Sequence, residues 1–328
     1  MKKFVSILLV LVLMMSLSVA AFASEVETDQ GTTTPTYTDH ETVTVYKVYK
    51  LVGAGTSPEE TFTLEQVGDG EVTDGDATSA PALGTITGAT FGSGAATAAG
   101  TKLGITIKLP TYTTVGKYEY TLKEVAGTTA GVTYYGNNIR LVVTVINGEN
   151  GKLRIAAVHV ESEGDKSNSF ENTYSAGTLS ITKTVTGNLG DKDKYFDFTV
   201  KLTGVDGKTY GDSYAVSGGS NAANPSTIKI GEETTFLLKH GDTISIENLP
   251  YGVTYTVTET AADGYTTTKT GDTGTIGAAT QTAAFTNDKN KSDIDMGVSM
   301  DSLPYILMLV VVGAAVVVIA TRKKGEQF

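Results

Sequence analysis

Apolar residues recur at every second position in short runs along most of this chain, and turn-forming clusters interrupt each run. Val43, Val45, Lys47 and Tyr49 fall on one face of the first run, with Thr42, Thr44, Tyr46 and Val48 on the other. A period of two marks a strand with one buried face. The pattern returns at 103–109, 118–122, 139–146, 153–160 and 169–174. It resumes with Leu179, Ile181, Lys183 and Val185, and then at 196–202, 234–238, 243–246, 255–258 and 281–286. Glycine-rich stretches such as 68–75 and 84–104 read as loops or hairpin turns. The Asp-rich run 69–76 lacks calcium-loop spacing and reads as a solvated turn. Many short strands with frequent turns predict an all-β chain built of β-sandwiches.

The two ends read as addresses. Met1-Lys2-Lys3, the apolar run 4–17 and Ala21-Phe22-Ala23 form a signal peptide over residues 1–23. Residues 24–40 are polar and Thr-rich, a flexible leader. Residues 303–320 are apolar, uncharged and long enough to cross a bilayer as a helix. Arg322, Lys323 and Lys324 in the tail 321–328 would hold that end in the cytoplasm. The expectation is an exported protein tethered to the membrane at the cell surface. The net charge of -11 argues against nucleic acid as a partner. The chain has no Cys, so disulfides cannot brace it outside the cell. His40, His159 and His240 are scattered without metal-ligand spacing, and no sequence pattern calls for a cofactor or a metal.

The runs fall into two sets, 41–175 and 178–290, around the short joint Ser175-Ala176-Gly177. Such a joint favours a stiff end-to-end arrangement. Both sets hold the same features in the same order. The first has Lys47, Phe62, Glu124 and Asn172; the second has Lys183, Phe198, Glu259 and Asn287. Lys to Phe is 15 residues in each, Lys to Glu is 77 and 76, and only Glu to Asn differs, at 48 and 28. This is the signature of one module used twice.

Lysine and glutamate enter cores only when paired. Burial pushes a lysine toward the neutral amine and a glutamate toward the protonated acid. A neutral amine is a nucleophile, and an Asn side chain offers an electrophilic carbon with ammonia as leaving group. With Glu124 or Glu259 moving the proton, Lys and Asn could join as an amide. Lys50 competes with Lys47 in the first set. Lys47 shares the face of Val43 and Val45 and matches the second set's spacing, which favours it.

The pattern Leu179-Ser180-Ile181-Thr182-Lys183, Phe196-Asp197-Phe198, Tyr255-Thr256-Val257-Thr258-Glu259 and Phe285-Thr286-Asn287 resembles the FctA-type backbone pilins of Gram-positive bacteria, streptococcal ones in particular. The resemblance extends from about Val43 to the C-terminus. It implies two tandem immunoglobulin-like β-sandwich domains, each with a Lys–Asn isopeptide bond: Lys47 to Asn172 with Glu124, and Lys183 to Asn287 with Glu259. It also implies polymerisation by a sortase with copies of the same chain, and minor or tip pilins as partners. The linker 291–302 would carry the sorting signal, cut between Met296 and Gly297; here Met stands in the place of the usual Thr, and the Pro is missing. Lys166 holds the place of the lysine that joins subunits. On this reading the protein is structural, a pilus subunit and no enzyme beyond one turnover on itself. The rival expectation is an anchored adhesin or stalk that does not polymerise.

Overall fold

The computed structural model describes residues 40–290. The signal peptide, nearly all of the leader, Met296, Gly297, the apolar stretch 303–320 and the basic tail lie outside the described residues. Among the described residues no helix is long and apolar enough to cross a membrane.

The described chain is almost wholly β. Its axis is one strand of 18 residues, Ser169–Thr186. The first part of that strand pairs in parallel with Thr42–Gly53. The second part pairs in parallel with Thr280–Asp288 and antiparallel with Thr243–Pro250. Residues 175–177, expected as a short joint between the halves, lie in the interior of this one strand. Both edges of the strand find backbone partners there.

Two further sheets face this one. A six-stranded sheet runs Asp165–Lys166, Leu153–Ser162, Ile139–Asn147, Gly116–Glu124, Leu64–Gln66, with Glu71–Gly75 also on Gly116–Glu124. A four-stranded sheet runs Glu233–Leu238, Phe196–Thr203, Thr254–Glu259, Thr273–Thr275. The buried apolar residues divide accordingly. One cluster gathers Val45, Phe62, Phe91, Ile105, Tyr120, Val143 and Tyr174. The other gathers Ile181, Phe198, Phe236, Ile246, Val257 and Phe285.

The alternating runs all become strands. The loops or hairpin turns expected at 68–75 and 84–104 need correction in part, because these stretches contain the short strands Glu71–Gly75, Ile86–Thr87 and Ala89–Phe91 and the start of Thr101–Lys108. Glu71–Gly75 is exposed at four of its five positions, so no side-chain period could reveal it; its register comes from backbone pairing with Gly116–Glu119. The Thr-rich strand Thr266–Thr270 is exposed at all five positions and leaves no period for the same reason.

Candidate functional site

Each half buries one lysine, one glutamate and one asparagine together. Strand alternation turns Lys47 inward with Val43, Val45 and Tyr49. Alternation along Gly116–Glu124 buries Tyr118, Tyr120, Leu122 and then Glu124. Asn172 lies between the buried Phe170 and Tyr174. Lys47 is 2% exposed, Glu124 3% and Asn172 1%; in the second half Lys183 is 1% and Asn287 0%, with the Glu259 side chain at 2%.

The Lys47 ammonium contacts Glu124 Oε2, and Asn172 Nδ2 donates to Glu124 Oε1 at 2.5 Å. Lys183 Nζ donates to both oxygens of Glu259, at 2.7 and 2.8 Å, and Asn287 Nδ2 donates to Glu259 Oε1. The lysine and asparagine come from neighbouring parallel strands, and the glutamate crosses from the facing sheet. The offset is the same twice: Asn172 pairs with Tyr49, two residues past Lys47, and Asn287 pairs with Val185, two past Lys183. Positions two apart share a face, so each asparagine projects on the same side as its lysine.

Aromatic rings wall off both sites. Lys47 Nζ lies 5.5 Å from the centroids of Phe62 and Tyr135. Lys183 Nζ lies 4.2 Å from Phe196 and 5.6 Å from Phe198. Phe62 and Phe198, matched by spacing in the sequence, thus occupy equivalent places. Tyr135 gave no such signal, because it keeps no counterpart at the same interval; Phe196 has no counterpart either, but it alternates with Phe198 in Phe196-Asp197-Phe198 and shares its buried face. Burial lowers both lysines from the usual amine range, with the adjacent glutamate opposing that shift. The side-chain oxygens of Asn172 and Asn287 are buried without a hydrogen-bond partner. Leaving such an oxygen unpaired costs about 1–3 kcal/mol, and its recurrence in both sites points to a chemical role.

The other candidates lie elsewhere. Lys50 faces outward and pairs with the exposed Glu171 at 2.5 Å. Lys166 is exposed on the two-residue edge strand Asp165–Lys166, just after a turn in which Glu163 and Gly164 take positive φ. Among the described residues no group of His, Asp and Glu could hold a metal ion.

Residues 26–175 match the family described as Spy0128-like isopeptide containing domain, and residues 177–289 match a domain of unknown function, DUF7601. The chain is 30% identical over 229 residues to a pilin of Streptococcus pyogenes serotype M1, covering 62% of this chain and 67% of that one. It is 36% identical over 119 residues to the pilus tip adhesin Cpa of Streptococcus pyogenes, covering 34% of this chain but spanning only 17% of the adhesin's length. The crystal structure of the major pilin from Streptococcus pyogenes superposes with a TM-score of 0.51 at 24% identity, covering 77% of this chain and all of that one, which shows a shared fold. Its sequence likeness to a pilin over two thirds of that protein, together with the isopeptide-domain match, places the chain in the family of pilins built on the Spy0128-like isopeptide containing domain.

Proposed function

We propose that this protein is the backbone subunit of a surface pilus, built of two tandem immunoglobulin-like domains, each clamped by a Lys–Asn amide that it forms itself. The observation that carries the reading is the repeated buried set: Lys47, Glu124 and Asn172, then Lys183, Glu259 and Asn287, with one register offset.

In each site the lysine nitrogen attacks the asparagine Cγ. The Nζ–Cγ bond forms, the Cγ–Nδ2 bond breaks and ammonia leaves. The glutamate contacts both the attacking and the departing nitrogen. It can therefore accept the proton that the amine sheds and deliver it to Nδ2, without which an amide nitrogen is a poor leaving group. Desolvation supplies the neutral amine, and the fold supplies proximity worth several kcal/mol of barrier. The products join the first strand of each half to its last. Pulling on the ends of such a domain loads a covalent bond instead of a ladder of hydrogen bonds.

The chain ends fit export and assembly. A signal peptide, a membrane-spanning C-terminal segment and a sortase cut at Met296–Gly297 would present the new carboxyl end for transfer to Lys166 of the next copy, with a tip subunit at the end of the fibre. The 119-residue likeness to a tip adhesin favours a second reading, an anchored adhesin that does not polymerise.

Intact mass of the chain tests the clamps, since each bond removes one ammonia, about 17 Da. A mass deficit of two ammonias is expected; an unshifted mass overturns the proposal. Ladders of high mass that survive boiling in detergent separate the backbone subunit from the adhesin, which would run as a single band.

A further inference from the structure

The chain that leaves Glu124 does not return directly to the strand of Asn172. Val125 N–H is held by Thr63 O at 3.1 Å, and the chain then runs out to the second half of the molecule. There Thr209 N–H donates to Thr128 O at 2.8 Å, and Ala130 N–H donates to Thr209 O at 2.9 Å. The hydroxyls of Thr128 and Thr209 meet at 2.8 Å, and Thr129 and Thr209 form a parallel bridge. The segment then turns at Gly131, whose carbonyl accepts from Ser175 N–H at 2.8 Å. It ends with Thr133 opposite Thr173, the neighbour of Asn172. Residues 125–132 thus connect the glutamate of the first site to the strand bearing its asparagine. A residue from the other half grips the middle of that connection.

We propose that Thr209 is a positioning residue for the Lys47–Asn172 bond, so that the first clamp closes efficiently only when the second half is folded and docked. The inference rests on the reading of Lys47, Glu124 and Asn172 as a bond-forming set. Thr209 touches none of the three. It acts by fixing residues 128–130 and so the separation between Glu124 and Asn172. Bond formation is sensitive to such placement, because misplacing reacting groups by about 1 Å can cost about 10²-fold in rate. The second site has no matching dependence: Thr260 N–H donates to Asp197 O as Val125 does to Thr63, but beyond it Tyr265 N–H donates to Ala262 O and Thr266–Thr270 pairs with Thr280–Asp288, all within the same half.

The test follows both bonds in the full chain, pulse-labelled and digested at intervals, with each cross-linked peptide counted by mass. Thr209→Pro removes the N–H donor, Thr209→Val removes the hydroxyl, and Thr209→Ser keeps both. The expected result is a Lys47–Asn172 bond slowed about tenfold or more in Thr209→Pro, slowed less in Thr209→Val, and restored in Thr209→Ser. The Lys183–Asn287 bond should form at the parent rate throughout, which also reports that the second half has folded. Equal rates at the first site in parent and Thr209→Pro would overturn the proposal, as would a slowing of both bonds to the same degree. A parent chain that forms neither bond overturns the underlying function instead, which keeps the two failures distinct.

Discussion

Asn172 and Lys183 lie on the same unbroken strand, eleven residues apart, and both are buried. An odd separation puts two side chains on opposite faces of a strand. Both are inside because the strand changes the face it presents to a core. Phe170, Asn172, Tyr174 and Ala176 are buried in the first half; Gly177, Leu179, Ile181, Lys183 and Val185 are buried in the second. Ala176 and Gly177 are the handover, and the pairing to Thr243–Pro250 becomes irregular between Gly177 and Leu179. One strand therefore carries the asparagine of one buried set and the lysine of the other.

The handover depends on a small residue. A β-carbon at Gly177 would sit 2.1 Å from the carbonyl oxygen of Ala278. Gly177→Ala should destabilise the chain by about 1–3 kcal/mol, the usual cost of overpacking. Calorimetric unfolding checks this, and an unchanged Tm would show that the bend holding Ala278 moves aside without cost.

Removing the acid should remove one clamp and leave the other. Glu259→Ala is expected to retain one ammonia relative to the parent and to lower the unfolding temperature. The lost bond closes a loop of about 104 residues, worth roughly 4–5 kcal/mol if it restricts the unfolded chain as a disulfide does. Mass and Tm are read on the same sample. A full mass deficit would show that Glu259 is dispensable.

Lys47 and Lys50 should part company. Lys47→Ala is expected to abolish the proposed first cross-link and to leave Glu124 and Asn172 buried without the lysine. Lys50→Ala deletes only an exposed pair with Glu171, an effect within about 1 kcal/mol. Peptide mapping for the Lys47–Asn172 link, with denaturant unfolding of both variants, makes the comparison. A cross-link surviving in Lys47→Ala would reassign the nucleophile.

The outer face of the six-stranded sheet should contribute acid sensitivity. Burial raises the Glu119 carboxyl, but hydrogen bonds from Lys117 and Thr73 and the charges of Arg140 and Lys117 outweigh it, and the group ends below its ordinary value of 4.5. A carboxylate depressed in the folded state binds fewer protons there than in the unfolded chain. Its stabilisation is present above pH 4.5 and is lost as pH falls through the depressed value. Glu119→Gln should flatten the loss of stability with acid below that point while lowering stability at neutral pH. Parallel curves for the two proteins in urea titrations from about pH 7 to about pH 3 would contradict this.

Much of the fold is legible in the chain because strands with one buried face repeat every second residue. Val43, Val45, Lys47 and Tyr49 mark a core-facing lysine by alternation alone, and so do Ile181, Lys183 and Val185. Strands exposed on both faces, such as Glu71–Gly75 and Thr266–Thr270, leave no such trace, because backbone pairing makes them. The equal spacing of Lys47 to Phe62 and Lys183 to Phe198 placed matching rings beside the two amines. Tyr135 reaches Lys47 from elsewhere in the chain, whereas Phe196 shares the buried face of Phe198 on one strand.

The order of residues is enough to say which side of each strand is apolar and that two lysines sit on that side. It is also enough to say that a glutamate and an asparagine follow each lysine in the same succession. These are local properties, written in the two-residue period and in chain order. Folding added the rest: Glu124 meets both Lys47 and Asn172, Lys50 points away, residues 175–177 continue a strand, and Thr209 grips the segment between Glu124 and Asn172. Each of those depends on register between strands distant in sequence. Register is set by how two sheets close on a shared core, and no local period records it.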